Sequence, residues 1–193
     1  MHKLLQADKY LFSIINGKWH NSFFDWFMPY LRQSEIWIPL YLFLLVFVLM
    51  NVKKSGWFIL LCICTVAITD LISSHIVKSN IIRIRPCGDP DLVGMVRFLV
   101  PYCPQSSSFT SSHAANHFGL ASFISTSLRP VTGPVIYLFY LWAFIIVYAQ
   151  VYVGVHFPLD IVGGSIIGLM TGMLLGNMYL KRSGNLILSN TRF

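Results

Sequence analysis

The sequence is short of charge. Only 11% of its 193 residues are Asp, Glu, Lys or Arg, and just 7 are acidic. A soluble domain carries about 25% charged residues, so this chain cannot be wetted on every side. Metal-binding patterns are missing as well: no carboxylate cluster and no Cys/His spacing has the form of a metal site, so neither a metal nor another cofactor is expected. The first residues lack the form of a cleavable leader, because Asp8 and Lys9 interrupt them and no small-residue cleavage site follows a compact apolar run.

Apolar residues take the place of the missing charge. They make up 55% of the chain, and the mean hydropathy is +0.65. Five apolar stretches stand out, roughly Ile36–Asn51, Gly56–Val77, Ala114–Leu128, Val135–Tyr152 and Leu159–Leu180. A spanning helix needs about 20 residues, so the first and third must borrow flanking polar residues. The expected fold is all-α, a polytopic membrane helix bundle of about five or six spans. The expected organisation is an amphipathic segment over 1–34, a membrane-embedded domain over 35–182 and a polar tail over 183–193. In the first segment Leu4, Leu11, Phe12, Trp19, Phe23 and Trp26 alternate with Asp8, Lys9, Asn16, Lys18 and Asp25. That mixture suits helices lying in the membrane interface, with a sixth span as the competing reading.

The formal charge is +7, from 14 basic against 7 acidic residues. The basic residues sit in gaps between apolar runs, which points to membrane orientation and an anionic ligand rather than nucleic acid. Five spans put Lys53, Lys54, Arg129, Lys181 and Arg182 on one side, the side that short basic loops mark as cytoplasmic. The long connection from Lys78 to Ser112 and the turn around His156 fall on the other side. The expected location is therefore a bacterial cytoplasmic (inner) membrane, with this side facing the periplasm or outside.

Three polar islands lie on that side. Lys78 and Arg85 stand about two helical turns apart and can form a cationic clamp for phosphate; a snorkelling pair at a helix end is the plainer explanation. Ser106 to His113 is a hydroxyl-rich helix start, a form that both caps helices and binds anions. His156 is followed at i+4 by Asp160, so the carboxylate can hold one ring nitrogen and leave the other free to attack. Each island alone has a structural explanation. Together they bring two histidines, two cations and a helix start to one membrane face.

This pattern resembles the type 2 phosphatidic acid phosphatases (PAP2), membrane lipid phosphatases related to vanadium haloperoxidases. The family pattern is Lys-x6-Arg-Pro, then Pro-Ser-Gly-His, then Ser-Arg-x5-His-x3-Asp. Lys78, Arg85 and Pro86 match the first part; Ser111 and His113 match the second, with Thr110 and Ser112 in place of Pro and Gly. His156 and Asp160 match the third, but Ala149 and Gln150 replace Ser-Arg. The resemblance runs from about Gly56 to Leu180. It implies hydrolysis of a lipid phosphate or diphosphate through a phosphohistidine on His156. His113 would act as acid and then base, Asp160 would hold the nucleophile, and Lys78, Arg85, Ser111, Ser112 and Gln150 would bind the phosphate. Arg83 and Arg97 are the candidates to replace the missing arginine charge.

Undecaprenyl diphosphate is the expected substrate. Phosphatidylglycerol phosphate, phosphatidic acid and a lipid A phosphate are alternatives, and a phospholipid-binding or transport protein without turnover is the reading from another class. The bilayer and a phosphorylated lipid are the expected partners, and the sequence is silent on oligomeric state. Cys87 and Cys103 bracket the polar connection and would form a disulfide in an oxidising compartment. Asp70, His75 and His117 are expected to serve packing and hydrogen bonding.

Overall fold

The computed structural model describes residues 2–183; the polar tail expected beyond Ser183 lies outside the described residues. Eight α-helices follow in order: α1 (His2–Phe12), α2 (Ser22–Leu31), α3 (Ile38–Asn51), α4 (Ser55–Asp70), α5 (Lys78–Asn80), α6 (Ser112–Thr132), α7 (Leu138–Tyr152) and α8 (Pro158–Ser183). There is no strand among the described residues. A wider π-helical stretch, Leu71–Val77, joins α4 to α5.

Among the described residues, four helical segments are long and apolar enough to cross a membrane: Ser34–Asn51, Ser55–Asn80, Gly133–Tyr152 and Pro158–Ser183. Their outer faces are apolar, with Phe43, Leu49, Ile63, Phe144, Met170 and Leu174 all exposed. In water such a surface would aggregate; in lipid it is the solvated surface. Helix α6, the third expected span, is not among these four. It has the length, 21 residues, but carries serines, histidines and an asparagine. It can do so because it is the central helix, packed against α4, α7 and α8, with Ala114, Ala115, Ala121 and Phe123 fully buried. This accounts for the shortness of its apolar stretch in the sequence.

The tightest seam is between α6 and α8. Gly164, Gly168 and Gly172 recur every four residues along α8, and a Cβ on each would collide with the backbone carbonyl of Ser111, Ala115 and Gly119 in turn. Gly176 continues the stripe against Thr126. Small residues at this spacing let two membrane helices approach backbone to backbone. The seam ends at the site, where the Ser111 N–H donates to the Asp160 carbonyl at 3.0 Å.

At the opposite end, Lys54 Nζ donates to the Arg182 carbonyl at 2.7 Å and the Tyr179 hydroxyl donates to the Lys53 carbonyl at 3.0 Å. The basic loops therefore share one end of the bundle and the site occupies the other.

No helix before Ser34 is long and apolar enough to cross a membrane, which removes the sixth-span alternative among the described residues. Helix α1 packs on α8 and α2 packs on α7. Phe12, Ile15, Met28 and Leu31 bury themselves against Tyr152, Val153, Val155 and Phe157. The aromatics Phe23 and Trp26 stay exposed, but the opposite face of this segment is a roof over the site end of the bundle.

Candidate active site

His156 lies in the turn between α7 and α8, and its 3% exposure leaves it nearly sealed. Gly154, with φ +88°, lets the chain turn there beneath Val96 and the Arg97 carbonyl. One ring nitrogen, Nδ1, lies 3.4 Å from Asp160 Oδ2 and 3.4 Å from the Ser108 hydroxyl. The other, Nε2, lies 3.1 Å from an Arg85 terminal nitrogen. A guanidinium can only donate, so Nε2 carries the lone pair and Nδ1 carries the proton facing Asp160. The geometry thus selects the tautomer a nucleophilic histidine needs. Burial pushes this imidazole down to about 4, with Asp160 pulling against the fall and Arg85 adding to it.

Asp160 is fully buried (0% exposed), yet both of its oxygens accept hydrogen bonds. Oδ2 accepts from the Ser108 hydroxyl at 2.5 Å and the Phe157 N–H at 2.8 Å, while Oδ1 accepts from Arg83 at 2.6 Å. A carboxylate held by several donors stays ionised and fixed. It can therefore orient His156 and stabilise the imidazolium that develops during attack.

Arg85 is held on its outer edge. Its Nε donates to the Ser106 carbonyl at 3.0 Å, and its terminal nitrogens donate to the Ser106 hydroxyl and the Val155 carbonyl, both at 3.1 Å. Burial pushes this guanidinium below its ordinary value; Asp160 opposes the shift and Arg32 adds to it. Lys78 Nζ donates to the Ser112 hydroxyl at 2.8 Å. Ser112 also meets Ser73 at 3.0 Å and Ser74 at 2.9 Å, and Ser74 donates to Asp70 at 3.0 Å. The π-helical stretch is what turns Ser73 and Ser74 toward α6. Asp70 accordingly has the structural place expected of it.

Ser111 caps α6 by accepting from the Ala114 N–H at 3.3 Å. His113, in the first turn, is half-buried and lies close enough to His156, Lys78 and Arg32 for their charges to act on it. Its carbonyl accepts from His117 Nδ1 at 2.8 Å, and the two rings stack at 6.1 Å. His117 then meets the Trp142 ring at 5.1 Å. Lys78, Arg85, Ser111, Ser112, His113, His156 and Asp160 are thus gathered at one end of the bundle.

Two expectations need correction. Arg97 is not a spare cation: it pairs with Asp25 of α2, and its backbone N–H donates to Asn16 Oδ1 at 2.8 Å. Arg83 is not spare either, because it is bound between Asp8 and Asp160 and lies over the Phe157 ring. Gln150 is fully buried near the end of α7, where its side-chain oxygen accepts from Arg32 Nε at 3.2 Å. The disulfide between Cys87 and Cys103 is present, closing the connection over a separation of 16 residues. Among the described residues, no group of three or more His, Cys, Asp or Glu is placed to hold a metal.

Four site residues escaped the sequence reading: Asp8, Arg32, Ser108 and Asp25. The first, second and last belong to the N-terminal roof, far from the motifs in sequence. Ser108 lay inside the hydroxyl-rich run and had the signal, but its role as a bridge to Asp160 depends on the fold.

Residues 56–183 match the PAP2 superfamily. The lipid A 4'-phosphatase of Bacteroides thetaiotaomicron is 31% identical over 177 residues, covering 89% of this chain and 76% of that protein. The lipid A 4'-phosphatase of Porphyromonas gingivalis is 28% identical over 184 residues, covering 93% of this chain and 76% of that protein. The crystal structure of Aquifex aeolicus LpxE aligns with a TM-score of 0.61 at 28% identity, over 86% of this chain and 92% of that one. A transmembrane PAP2-type phosphatidylglycerolphosphate phosphatase from Bacillus subtilis shares the fold, with a TM-score of 0.66 at 22% identity, over 94% of this chain and 88% of that one. With its histidine, carboxylate and cationic groups assembled at one end of a membrane bundle, the chain belongs to the PAP2 superfamily and is a membrane lipid phosphatase.

Proposed function

We propose that this protein removes a phosphate monoester from a lipid A-type glycolipid through a phosphohistidine on His156. The observation that carries the chemistry is the His156 ring, with Nδ1 toward Asp160 and a lone pair on Nε2. Nε2 attacks phosphorus as the bond to the lipid oxygen breaks, and His113 donates its proton to that oxygen. His113 then takes a proton from water, the oxygen of that water attacks phosphorus, and the P–N bond breaks to release inorganic phosphate and restore His156. Arg85 must hand its N–H from Nε2 to a phosphoryl oxygen as substrate enters. Lys78, Ser112 and the α6 N-terminus neutralise the remaining charge. The steps require no metal, so activity is expected to survive EDTA.

The relatives support lipid A rather than undecaprenyl diphosphate, since the two curated ones are both lipid A 4'-phosphatases. An apolar crevice of about 480 Å³ is lined by Trp37, Leu40, Phe43, Phe139 and Trp142. Its Trp142 ring meets His117, which stacks on His113, so an apolar lining close to the site suits a substrate whose tails stay in the bilayer. The site end is assigned to the periplasmic or outer side of a bacterial cytoplasmic membrane, a placement that the disulfide favours.

The test is phosphate release by purified wild type and His156→Ala from lipid A, phosphatidylglycerol phosphate, phosphatidic acid and undecaprenyl diphosphate. Fastest release from lipid A supports the proposal. Preference for undecaprenyl diphosphate would overturn the substrate, and equal background in both proteins on every lipid would overturn the enzyme.

A further inference from the structure

Three arginines from or beside the N-terminal roof approach the site end of the bundle, and they are not alike. Arg83 and Arg97 are neutralised by carboxylates. Arg32, the residue that ends α2, pairs with no carboxylate among the described residues, and only its Nε–H has a hydrogen-bond partner. Burial pushes this guanidinium below its ordinary value. Arg32 is half-buried, and a partly desolvated cation without a counter-ion gains when an anion joins it.

Its position is not accidental drift of a loose chain end. The Trp37 indole N–H donates to the Leu31 carbonyl at 2.9 Å, and Met28 and Leu31 are buried against the end of α7. At the other end of α2, Asp25 accepts from the Tyr152 hydroxyl at 2.7 Å. The helix is therefore anchored at both ends, with Arg32 aimed at Gln150.

Gln150 supplies the second observation. Arg32 can only donate, so the amide oxygen of Gln150 must face it. That leaves the Gln150 Nε2 amide fully buried without a partner among the described residues. Buried donors of this kind are rarely left unmade. The Gln150 carbonyl accepts from the Val155 N–H at 3.2 Å, and the Val155 carbonyl accepts from Arg85 at 3.1 Å. The Gln150 main chain is thus joined through Val155, by two hydrogen bonds, to Arg85, which meets His156. The charge of Arg32 reaches both Arg85 and His113. Every unpaired group in this corner donates, and an oxyanion is the ligand that accepts.

We propose that Arg32, oriented by Gln150, is the third cation of the phosphate clamp and binds phosphoryl oxygens together with Lys78 and Arg85. The proposal rests on the phosphatase reading above. Charge is brought to this position by the N-terminal roof instead of by α7.

The experiment compares wild type, Arg32→Ala, Arg32→Lys, Gln150→Arg and the double variant Arg32→Ala/Gln150→Arg. All are purified in detergent and checked for monodispersity. Phosphate release from the best lipid substrate and competitive inhibition by inorganic phosphate and orthovanadate are both measured. Arg32→Ala is expected to lower kcat/KM by about 100-fold, the scale of one lost transition-state contact, with Arg32→Lys in between. Inhibition by both anions should weaken by about tenfold, and the double variant should regain at least about tenfold in rate by restoring a cation at the same corner. A monodisperse Arg32→Ala protein within about threefold of wild type in rate and inhibition would overturn the proposal, as would a loss that Gln150→Arg leaves unrepaired. If wild type hydrolyses no lipid, the phosphatase reading fails separately. Orthovanadate binding to the same folded proteins then still decides the role of Arg32: tenfold weaker binding in Arg32→Ala supports it, and equal binding overturns it.

Discussion

The Asp8 carboxylate accepts a hydrogen bond from the Leu159 backbone N–H at 2.8 Å, tying the first helix to the residue beside Asp160. The same carboxylate pairs with Arg83, whose other terminal nitrogen holds Asp160. Asp8 thus braces the Asp160 carboxylate from behind, and in the proposed mechanism it does so without touching the reacting atoms. Asp8→Ala should leave Arg83 half-paired and Asp160 less firmly oriented. Losing a hydrogen bond to a charged group costs about 1.5–3 kcal/mol, so kcat/KM should fall by about 10- to 100-fold. Steady-state assays should show the loss mainly in kcat, with Asp8→Asn milder than Asp8→Ala.

Asp160→Asn tests the tautomer directly. An amide can present N–H to Nδ1 and so favour the wrong ring form, the effect that lowers a serine protease by about 10⁴ in its corresponding variant. A loss of about 10³- to 10⁴-fold is expected here. An acid-labile phosphoenzyme should be trapped from wild type by rapid quench, and should be absent from His156→Ala.

The low value of His156 sets the pH dependence. In the proposed mechanism the free base attacks, and burial keeps the ring neutral down to about pH 4. The acid limb of kcat/KM attributable to this group should therefore lie near pH 4 instead of near 6.5, the ordinary imidazole value. Stability follows the same sign. Between about 6.5 and 4 the unfolded chain binds a proton that the folded ring refuses, so stability falls as pH drops through that window. Thermal melts from pH 7 to pH 4 should show this decline, and His156→Ala should reduce it.

Non-reduced, denatured protein should yield two alkylatable thiols, Cys62 and Cys64, and four after reduction. Closing a loop of this size is worth about 3 kcal/mol in the chain-entropy account. Cys87→Ser/Cys103→Ser should therefore melt lower, and should loosen the connection that carries Arg85 and Ser106. Mass spectrometry of alkylated peptides checks the pairing.

Gly168→Leu should break the seam between α6 and α8, because a side chain there must displace the Ala115 carbonyl. Overpacking a tight interior costs about 1–3 kcal/mol or more. A lower melting midpoint in detergent is expected, with activity lost together with the folded fraction.

Much of this arrangement was legible in the sequence. The apolar runs located four spans, and the i+4 spacing of His156 and Asp160 located part of the site because that relation is local. Lys78 and Arg85 do reach the site, but not as two turns of one helix, since the helix ends at Asn80 and Arg85 is extended. Arg32, Asp8 and Asp25 were not legible for a physical reason. Their partners are Gln150, Leu159 and Tyr152, each more than a hundred positions away, and no periodicity encodes a contact between a roof and a bundle. The same limit made Arg83 and Arg97 look available when carboxylates from α1 and α2 already held them.

The glycine stripe has a consequence for how such an enzyme can diversify. The α6–α8 seam meets through peptide atoms, so the spacing between the helix that carries His113 and the helix start that carries Asp160 does not depend on large side chains. The lipid-facing surfaces of α3 and α7 stand apart from that seam. Mutations there can reshape tail accommodation while the reacting groups keep their separation, so substrate range can drift across lineages without rebuilding the chemistry.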